Sequence, residues 1–257
     1  MVEVTTEHTG GGDPKRSIEL LWGLQDRPRR GPKPRFTVAQ IAQAAIDLAD
    51  REGLTALSMR RVADQLGVTA MSLYTYVPSK AELLDLMLDT AYREMVRTEP
   101  ADDSWRARLT AIADDNRILY ERHPWLADIS TGRPPLGPGV MAKYEHELRA
   151  LDGLGLDDVE MDAALTFLLG FVQTCARAAA DARAAEHERA MSDQQWWESN
   201  APLLEKVFDT TKYPTAARVG AAAGEAHGAA YSPTHAYDFG LDRILDSLAV
   251  LIEARTG

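Results

Sequence analysis

Residues 58–80 contain a group of side chains whose types and spacing suit contact with a DNA groove. The outward-facing residues of this stretch are small or polar; they are Thr69, Ala70, Met71, Ser72 and Thr75. A helix that enters the major groove needs such a surface, because small and polar side chains reach base edges and phosphates without steric clash. None of these side chains can make a bidentate contact with a base, so we expect modest direct readout by this helix.

The same stretch has the pattern of two short helices joined by a tight turn, the second of about two turns. Ser58 can cap the first helix, and apolar residues follow at helical spacing until Gly67, which can adopt the positive φ that ends a helix. Ala63, Gly67 and Leu73 have the spacing of a helix-turn-helix, in which a small residue allows the helices to cross closely and a large one locks the second helix onto the first. The alternative is an ordinary helical hairpin in an all-α core.

Helical patterns on both sides of this unit would hold it in place. Thr37 and the apolar residues that follow it predict a supporting helix with one buried face. The capping-box pattern Ser79–Glu82 begins a further helix, which we expect to continue to about Thr98. This last helix is long enough to bridge from a small head into the next domain.

The chain divides into three parts. The run E-P-A-D-D at residues 99–103 interrupts the helical pattern and marks a domain boundary. We predict an all-α fold with a disordered and basic N-terminal arm at 1–35, a three-helix DNA-binding head with its bridging helix at 36–98, and a larger helical domain at 104–257.

The N-terminal arm combines unpatterned residues with a cluster of cations. Residues 1–16 are polar and Gly-rich without periodicity, so we expect disorder. Residues 17–24 form a short apolar piece that could dock on the protein or on DNA. Three prolines keep residues 27–35 extended, and this shape suits a minor groove, although a solvated linker is the alternative. The cations concerned are Arg29, Arg30, Lys33 and Arg35.

The distribution of charge favours contact with phosphate. The 257-residue chain has a net charge of −11, but residues 27–80 hold nine Lys or Arg against four Asp or Glu. This segment is therefore at +5 and the remainder at −16, an asymmetry that can orient the molecule towards nucleic acid. The single cysteine, Cys175, excludes an intramolecular disulfide and favours a reducing compartment. We see neither a signal peptide nor a membrane span, so we expect a cytoplasmic protein.

Residues 36–98 resemble the DNA-binding head of the TetR family of bacterial transcriptional regulators. The motif G-x-x-x-L-S-M-R-x-V-A-x-x-L-G-V-x-x-x-x-L-Y-x-Y-V-x-x-K matches from Gly53 to Lys80. The arm R-R-G-P-K-P and the run L-Y-x-Y-V-P-S-K-A-E-L-L-D are similar to actinobacterial members near the tetracycline-repressor branch. The resemblance implies an all-α dimer that binds double-stranded DNA and senses a small molecule with its C-terminal domain.

The resemblance also implies roles for single residues on DNA. Tyr76 and Lys80 match positions that hold phosphates, and such contacts set register rather than sequence. Arg60 matches a position that can reach a guanine, a contact worth ~1–3 kcal/mol of discrimination. The alternative for Arg60 and Arg61 is that they are surface charges with no role on DNA. Tyr74 could pack in the core of the head or contact the DNA backbone. Specificity would then depend on Arg60 and on the basic arm.

The C-terminal region resembles the family only weakly by motif. Periodicity predicts helices at 105–122, 140–151, 157–190, 192–208 and 234–255, and a loop with broken helix at 210–233. By analogy with the family, the long helix 157–190 and the last helix would form a four-helix interface in a homodimer, because two-fold half-sites require a two-fold protein. The alternative is that these faces belong to the core of one subunit.

Aromatic and polar residues of this region could line a cavity for a small hydrophobic or aromatic ligand. They are Asn116, Tyr120, Trp125, Met141, Tyr144, Phe167, Phe171, Gln173, Cys175, Trp196 and Trp197. Core packing is the competing explanation for each aromatic residue. The tetracycline repressor binds a magnesium–drug chelate through a histidine and an acid, but residues 127–134 and 170–176 contain no His, and the second range contains no acid. We therefore expect neither a metal nor a cofactor.

The leading hypothesis for function is a dimeric repressor of a palindromic operator that is released by a ligand. A regulator without a small-molecule inducer, controlled by a protein partner or acting as an activator, is an alternative that the sequence does not separate from the first. An enzyme is disfavoured, because the chain has no P-loop, no G-x-S-x-G motif, no adjacent Cys and His pair and no metal motif.

Overall fold

The computed structural model describes residues 8–24, 35–130, 132–189, 192–228 and 231–256, and this part of the chain is built from α-helices. They are α1 (Pro14–Leu21), α2 (Val38–Glu52), α3 (Met59–Leu66), α4 (Ala70–Tyr74), α5 (Lys80–Glu94), α6 (Trp105–Arg122), α7 (Pro138–Leu148), α8 (Asp158–Arg189), α9 (Asp193–Val207), α10 (Pro214–His227) and α11 (Pro233–Thr256). Short 3-10 turns, Leu54–Ala56 and Pro124–Asp128, follow α2 and α6. The predicted all-α fold is confirmed.

The head consists of α2, α3 and α4, which begin and end where their capping residues predict. Thr37 closes a capping box with Gln40, and Ser58 and Thr69 cap α3 and α4 through their hydroxyl groups. Gly67 ends α3 at φ 65°, a left-handed conformation that glycine adopts at little cost. The core of the head includes side chains that are at most 1% exposed: Ile41, Ala45, Val62 and Leu73. α4 is shorter than predicted, with five residues.

α5 bridges the head and the C-terminal domain, and it ends at Glu94 rather than near Thr98. Its apolar face is buried as expected, but three acids on the same helix are buried as well. Glu82, Asp85 and Asp89 are 3%, 1% and 1% exposed. A buried carboxylate is costly unless hydrogen-bond donors surround it, and these acids find their donors on segments distant in sequence.

The disorder expected for residues 1–16 is wrong for residues 8–16, because α1 begins at Pro14 and the residues before it make defined contacts. Asp13 caps α1 by accepting a hydrogen bond from Arg16 N–H at 2.9 Å, and Pro14 occupies the first helical position. Leu20 and Leu21 are each 6% exposed and pack α1 against α5. The apolar piece at 17–24 therefore docks on the body of the protein.

Buried acids of α5 hold this N-terminal strap (residues 8–24) in place. Gly10 N–H and the Ser17 hydroxyl donate to Asp85 at 2.9 and 3.3 Å. Asp13 N–H donates to Glu82 at 3.1 Å. Burial raises the pKa of Asp85, and the hydrogen bonds from Gly10 and Ser17 oppose that rise. The acids of α5 thus take the place of solvent for the strap's backbone donors.

The strap also contacts the loop that precedes α7. The Thr9 hydroxyl donates to the Arg133 carbonyl at 2.9 Å, and Trp22 Nε1 donates to the Leu136 carbonyl at 2.8 Å. The strap therefore joins the bridging helix to the C-terminal domain, through contacts more than a hundred positions apart in the chain.

The C-terminal domain has α6, α8 and α11 at its centre, with α7 packed against α5. Its core includes Leu109, Ile112, Leu165, Leu168 and Leu245. The prediction of a loop with broken helix at 210–233 is wrong. Pro214 starts the continuous helix α10, and Gly228 ends it at φ 62°.

Much of the apolar surface of α8 and α11 is uncovered within the subunit. By length and composition the stretch Asp158–Ala184 could cross a membrane, which is weak evidence because core helices of water-soluble proteins pass the same test. Of its most apolar stretch, however, only 22% is buried. Phe239 and Val250 of α11 are 57% and 68% exposed. These two helices therefore present apolar surface to solvent or to a partner.

Candidate DNA-binding surface and ligand cavity

α4 presents one long side chain and several short ones at its exposed surface. Met71 is 76% exposed, whereas Ala70 is half-buried against the head. Thr69 Oγ1 accepts a hydrogen bond from Ser72 N–H at 3.2 Å and lies 3.0 Å from the Ser72 hydroxyl. The Thr75 hydroxyl donates to the Ser72 carbonyl at 2.6 Å. These local hydrogen bonds fix the orientation of the exposed hydroxyls.

The two arginines of α3 lie in different electrostatic settings. Arg61 donates to both carboxylate oxygens of Glu52, at 2.8 and 2.7 Å. Arg60 is exposed, and its guanidinium makes no ion pair with any described residue. Because a guanidinium already paired with a carboxylate has fewer donors left for a base, Arg60 is the better placed of the two for a guanine.

Tyr76 joins the end of the head to the last residue of the basic arm. The Tyr76 hydroxyl accepts a hydrogen bond from Arg35 N–H at 3.2 Å. The Arg35 guanidinium lies over the ring of Phe36, 5.5 Å from its centroid. The end of the arm is thus held beside the residue that the resemblance places on phosphate.

Of the other predicted DNA contacts, the structure describes Tyr74 and Lys80 but not the remaining cations of the arm. Tyr74 is 45% exposed, and Lys80 is half-buried as the first residue of α5. A helix N-terminus favours a nearby anion, so Lys80 lies where a phosphate would be stabilised. The remaining cations of the arm, Arg29, Arg30 and Lys33, lie outside the described residues.

A cavity of about 430 Å³ lies between α6, α8 and α11. Tyr120 and Cys175 are the two predicted ligand contacts that line it. Burial raises the pKa of the Cys175 thiol, which is therefore neutral near pH 7. Other lining residues are polar or small: Asp114, Arg117, Glu121, Ala176, Ala179, Ala182, Arg183, Pro233, Thr234, Tyr237 and Asp238.

One wall of the cavity is a linked group of charged and aromatic side chains. The Tyr237 hydroxyl donates to Asp114 at 3.1 Å, while Arg117 pairs with Asp114 at 3.4 Å and with Glu121 at 2.8 Å. Arg117 lies over the Tyr237 ring at 5.4 Å, and Phe171, which does not itself line the cavity, stacks on the same ring at 6.0 Å. Burial and the adjacent Asp114 raise the pKa of Tyr237, so its hydroxyl stays protonated.

Sequence reasoning missed Asp114, Arg117 and Tyr237. Asp114 and Arg117 have the i, i+3 spacing of a helical ion pair, but that spacing is common on surface helices and does not indicate a cavity. Tyr237 lies 123 positions from its partner Asp114, and nothing in the sequence joins them.

Asn116, a predicted ligand contact, belongs to a buried polar cluster beside the cavity. Its amide donates to Glu147 at 2.7 Å, and Lys143 Nζ lies 2.7 Å from the same carboxylate. Glu147 and Lys143 are 1% and 6% exposed, and Lys143 lies 5.0 Å from the ring centroid of Tyr92 on α5. Burial, then Tyr92 and Glu147, raise the pKa of Tyr120. Because Tyr120 lies one helical turn after Asn116 on α6, it stands beside this cluster as well as lining the cavity.

Trp125 lies at the junction of the head and the C-terminal domain. Its Nε1 donates to Asp50 of α2 at 2.7 Å, and His123 Nδ1 lies 2.8 Å from the same carboxylate. Trp125 and His123 are 2% and 5% exposed. These contacts tie the end of α6 to the head, and sequence reasoning did not identify them.

The remaining predicted ligand contacts lie away from this cavity. They are Met141 and Tyr144 on α7, Phe167 and Gln173 on α8, and Trp196 and Trp197 on α9. Met141, Tyr144 and Phe167 are 39%, 41% and 54% exposed. Gln173 donates to the Ala127 carbonyl at 3.3 Å, and the two tryptophan rings lie 6.4 Å apart.

A helix-turn-helix head, a bridging helix and a second helical domain with a cavity define a DNA-binding transcriptional regulator with a separate effector domain. Two family models cover most of the chain: "Bacterial regulatory proteins, tetR family" matches residues 41–87, and "Tetracyclin repressor-like, C-terminal domain" matches residues 98–252. The chain belongs to the TetR family of transcriptional regulators. The resemblance found in the motif from Gly53 to Lys80 is confirmed.

Relatives of known description agree with this assignment. The HTH-type transcriptional repressor DrrR1 of Streptomyces coeruleorubidus is 42% identical over 254 residues, which cover 98% of this chain and 92% of the relative. The crystal structure of ActR from Streptomyces coelicolor in complex with actinorhodin has a TM-score of 0.70 at 28% identity, covering 84% of this chain and 96% of that one. Apo ActR has a TM-score of 0.69 at 26% identity, covering 87% and 99%.

Proposed function

We propose that this protein is a homodimeric repressor of a palindromic operator, released from DNA when a small aromatic ligand enters the cavity between α6, α8 and α11. The observation that carries the proposal is the link between the cavity and α5: Tyr120 lines the cavity and lies one helical turn after Asn116 on α6, and Asn116 bonds to Glu147 in a buried cluster that reaches Tyr92 of α5. Repression, rather than activation, is supported by the description of the S. coeruleorubidus relative as a repressor. The protein would act in the cytoplasm.

On DNA, the head would combine a few base contacts with several phosphate contacts. Met71 and Ala70 can pack against a thymine methyl group, and Ser72 can make a single hydrogen bond to a base. Arg60 supplies the guanidinium fork that can read O6 and N7 of a guanine. Tyr76 and Lys80 would hold phosphates and so fix the register of the helix in the groove.

A second copy of the chain would cover the exposed apolar surface of α8 and α11. Phe167 and Val159 of α8 are 54% and 77% exposed, and Phe239 and Val250 of α11 are exposed to a similar degree. Burying them in a four-helix interface gains about 25 cal/mol for each Å² of apolar surface. The two recognition helices would then be related by two-fold symmetry and could reach half-sites about 34–36 Å apart.

The chemistry of the cavity wall indicates a planar aromatic ligand with hydrogen-bonding groups. Tyr120 and Tyr237 are aromatic groups of the lining, Arg117 offers a cation that stacks on aromatic rings, and Asp114 accepts hydrogen bonds. ActR, which shares the fold, was crystallised with actinorhodin and with (S)-DNPA. These compounds suit first tests on this chain.

A path of packed polar groups would carry the effect of the ligand to DNA. A ligand that displaces Tyr120 would disturb Asn116, one helical turn earlier on α6 and bonded to Glu147, and Lys143 of the same cluster packs on Tyr92 of α5. Because α5 also packs against the head, its displacement alters the spacing of the recognition helices. The ligand need only bind the DNA-incompetent arrangement more tightly than the competent one.

The proposal is tested by selecting bound sequences from random DNA and then measuring release. We expect an inverted repeat to be enriched, and actinorhodin or a related aromatic compound to reduce its occupancy. Ala179→Trp would fill the cavity and abolish release while operator binding persists; Ala222→Trp, on an exposed position of α10, is the matched control.

The two parts of the proposal fail separately. Without an enriched inverted repeat, a dimeric operator complex is contradicted. Selection of an operator with no release by an aromatic library, together with an unchanged melting temperature, would favour a regulator controlled by a protein partner.

A further inference from the structure

The N-terminal strap places a helix beside the end of α4. The sequence P-K-R-S-I-E-L-L forms α1 because Asp13 caps it and Pro14 fits its first position. Its apolar residues Leu20 and Leu21 are buried, and the Ser17 hydroxyl bonds to Asp85. The polar side of α1 is therefore held at a fixed position beside the helix-turn-helix.

A small notch of about 220 Å³ lies between α1 and the end of α4. Its wall includes Arg16, Glu19 and Leu20 from α1 and Tyr74, Thr75 and Tyr76 from the end of the head. The notch thus brings a guanidinium and three hydroxyl groups together next to the surface expected to face DNA. None of the ligand-cavity residues lies in it.

The donors in the notch suit an anion. Arg16 is exposed, and no described carboxylate forms an ion pair with its guanidinium, unlike those of Arg61 and Arg93. The Tyr76 hydroxyl accepts from Arg35 N–H, so its own proton remains for donation. The Thr75 hydroxyl proton is already given to Ser72, so Arg16 and Tyr76 are the stronger donors. Charge-assisted hydrogen bonds of this kind bind phosphate oxygens well.

Glu19 opposes an anion in the notch, but its charge is partly compensated. The Glu19 carboxylate lies 3.8 Å from Lys15 Nζ one helical turn earlier. Exposed pairs of this kind are weak and screened, so Glu19 reduces the affinity for phosphate without closing the notch. Its removal should therefore strengthen binding.

We propose that the notch between α1 and α4 binds a phosphate of the DNA backbone next to the half-site, with Arg16 as its main ligand and Tyr76 as a second donor. The N-terminal strap then belongs to the DNA interface and extends the footprint beyond the helix-turn-helix. This inference rests on the proposed operator binding and adds a contact that the head alone does not supply.

The test measures operator affinity against salt for full-length variants. Each phosphate contact contributes about 0.9 to the slope of log K against log salt, so Arg16→Ala should lower the slope of a dimer by about 1.8. The affinity ratio of wild type to variant should then fall about tenfold between 50 and 200 mM salt. Lys15→Ala removes the same charge from the neighbouring position, outside the notch, and should change the slope much less. Glu19→Gln should raise affinity.

Single methylphosphonate substitutions locate the contact. At one phosphate in each half-site the neutral analogue should weaken wild type and leave Arg16→Ala unchanged. Equal salt slopes for wild type and Arg16→Ala would contradict a phosphate site in the notch. Equal losses of operator affinity for Arg16→Ala and Lys15→Ala would contradict it as well. If wild type itself bound no selected operator, operator recognition would have failed instead; circular dichroism excludes unfolding of the variants.

Discussion

Asp89 is the residue whose replacement should most directly separate the bridging helix from the C-terminal domain. Its carboxylate is 1% exposed and accepts hydrogen bonds from Gly139 N–H at 2.7 Å and Val140 N–H at 3.0 Å. Arg93 lies 2.6 Å from its other oxygen. α7 has Gly137 at its N-cap and no capping side chain of its own. Asp89 of α5 therefore caps α7 from a neighbouring helix.

The close approach also constrains the sequence of α7. A Cβ atom on Gly137 or Gly139 would overlap the side chain or the backbone of Asp89. The two glycines are therefore required by packing, and the capping acid cannot be moved away without leaving a gap.

The expected loss of stability follows from these contacts. Asp89→Ala leaves the buried Gly139 N–H and the part-buried Val140 N–H without acceptors, at about 1–3 kcal/mol each and less for Val140. It also removes a negative charge from a helix N-terminus, which contributes up to about 2 kcal/mol. We expect Asp89→Ala to lose about 3–5 kcal/mol. Asp89→Asn keeps the volume and one acceptor oxygen, so it should lose about 1–2 kcal/mol and remain folded.

Urea unfolding of the full-length protein at fixed concentration measures these losses, since dimer stability depends on concentration. Asp152→Asn, at an exposed turn position, removes the same charge and should be neutral within about 0.5 kcal/mol. Folded Asp89→Asn should also need more ligand for release from DNA, because α5 and α7 are less tightly joined. If Asp89→Ala were as stable as wild type, the capping argument would be refuted.

Three further substitutions test the head and the C-terminal domain. Arg60→Ala should relax specificity at one base pair of each half-site, and an equal loss on operator and random DNA would argue against base readout. Lys80→Ala should weaken binding to all DNA sequences alike and lower the salt slope by about one unit for each half-site. An unchanged slope would contradict the assignment of Lys80 as a phosphate contact. Gly240→Ala should cost about 1–3 kcal/mol in thermal unfolding, because its Cβ would overlap the Phe171 ring. Gly220→Ala, also within a helix but with open space around its Cβ, should instead stabilise the protein by up to about 1 kcal/mol.

The head could be predicted from the sequence because its signals are local. Ser58, Gly67 and Thr69 specify helix ends through their own side chains or backbone freedom, and the helical period of the apolar residues specifies the buried face. The motif from Gly53 to Lys80 then identified the family. Two helix lengths were overestimated: the chain leaves helical geometry soon after Tyr74 in α4, and α5 ends at Glu94 rather than near Thr98.

The N-terminal strap could not be predicted, because its partners are distant in the chain. Glu82, Asp85 and Asp89 look like the solvated side of a helix until the donors that bury them are known. Composition was also misleading: the glycines near Gly10 suggested disorder, although Gly10 donates to Asp85. For α10, Pro214 and Gly228 were valid helix boundaries that the Ala- and Gly-rich composition concealed.

The cavity was predicted in kind but not in detail. Tyr120 and Cys175 line it, but its charged wall depends on α6 and α11 meeting in space. Aromatic residues alone could not separate core, interface and cavity. To tell these three locations apart, one must know how the helices pack, and the helical period of a sequence does not reveal that.

The buried acids of α5 suggest how the parts move together. Glu82 and Asp85 hold the strap, and Asp89 holds α7, each through donors that would be orphaned if the acid withdrew. Breaking one of these contacts would leave a donor unpaired at about 1–3 kcal/mol, whereas movement of the attached segment with the helix keeps the hydrogen bond. A displacement of α5 should therefore carry the strap, and with it Arg16, together with the head. On this argument the proposed phosphate notch and the recognition helix would leave the DNA as one unit.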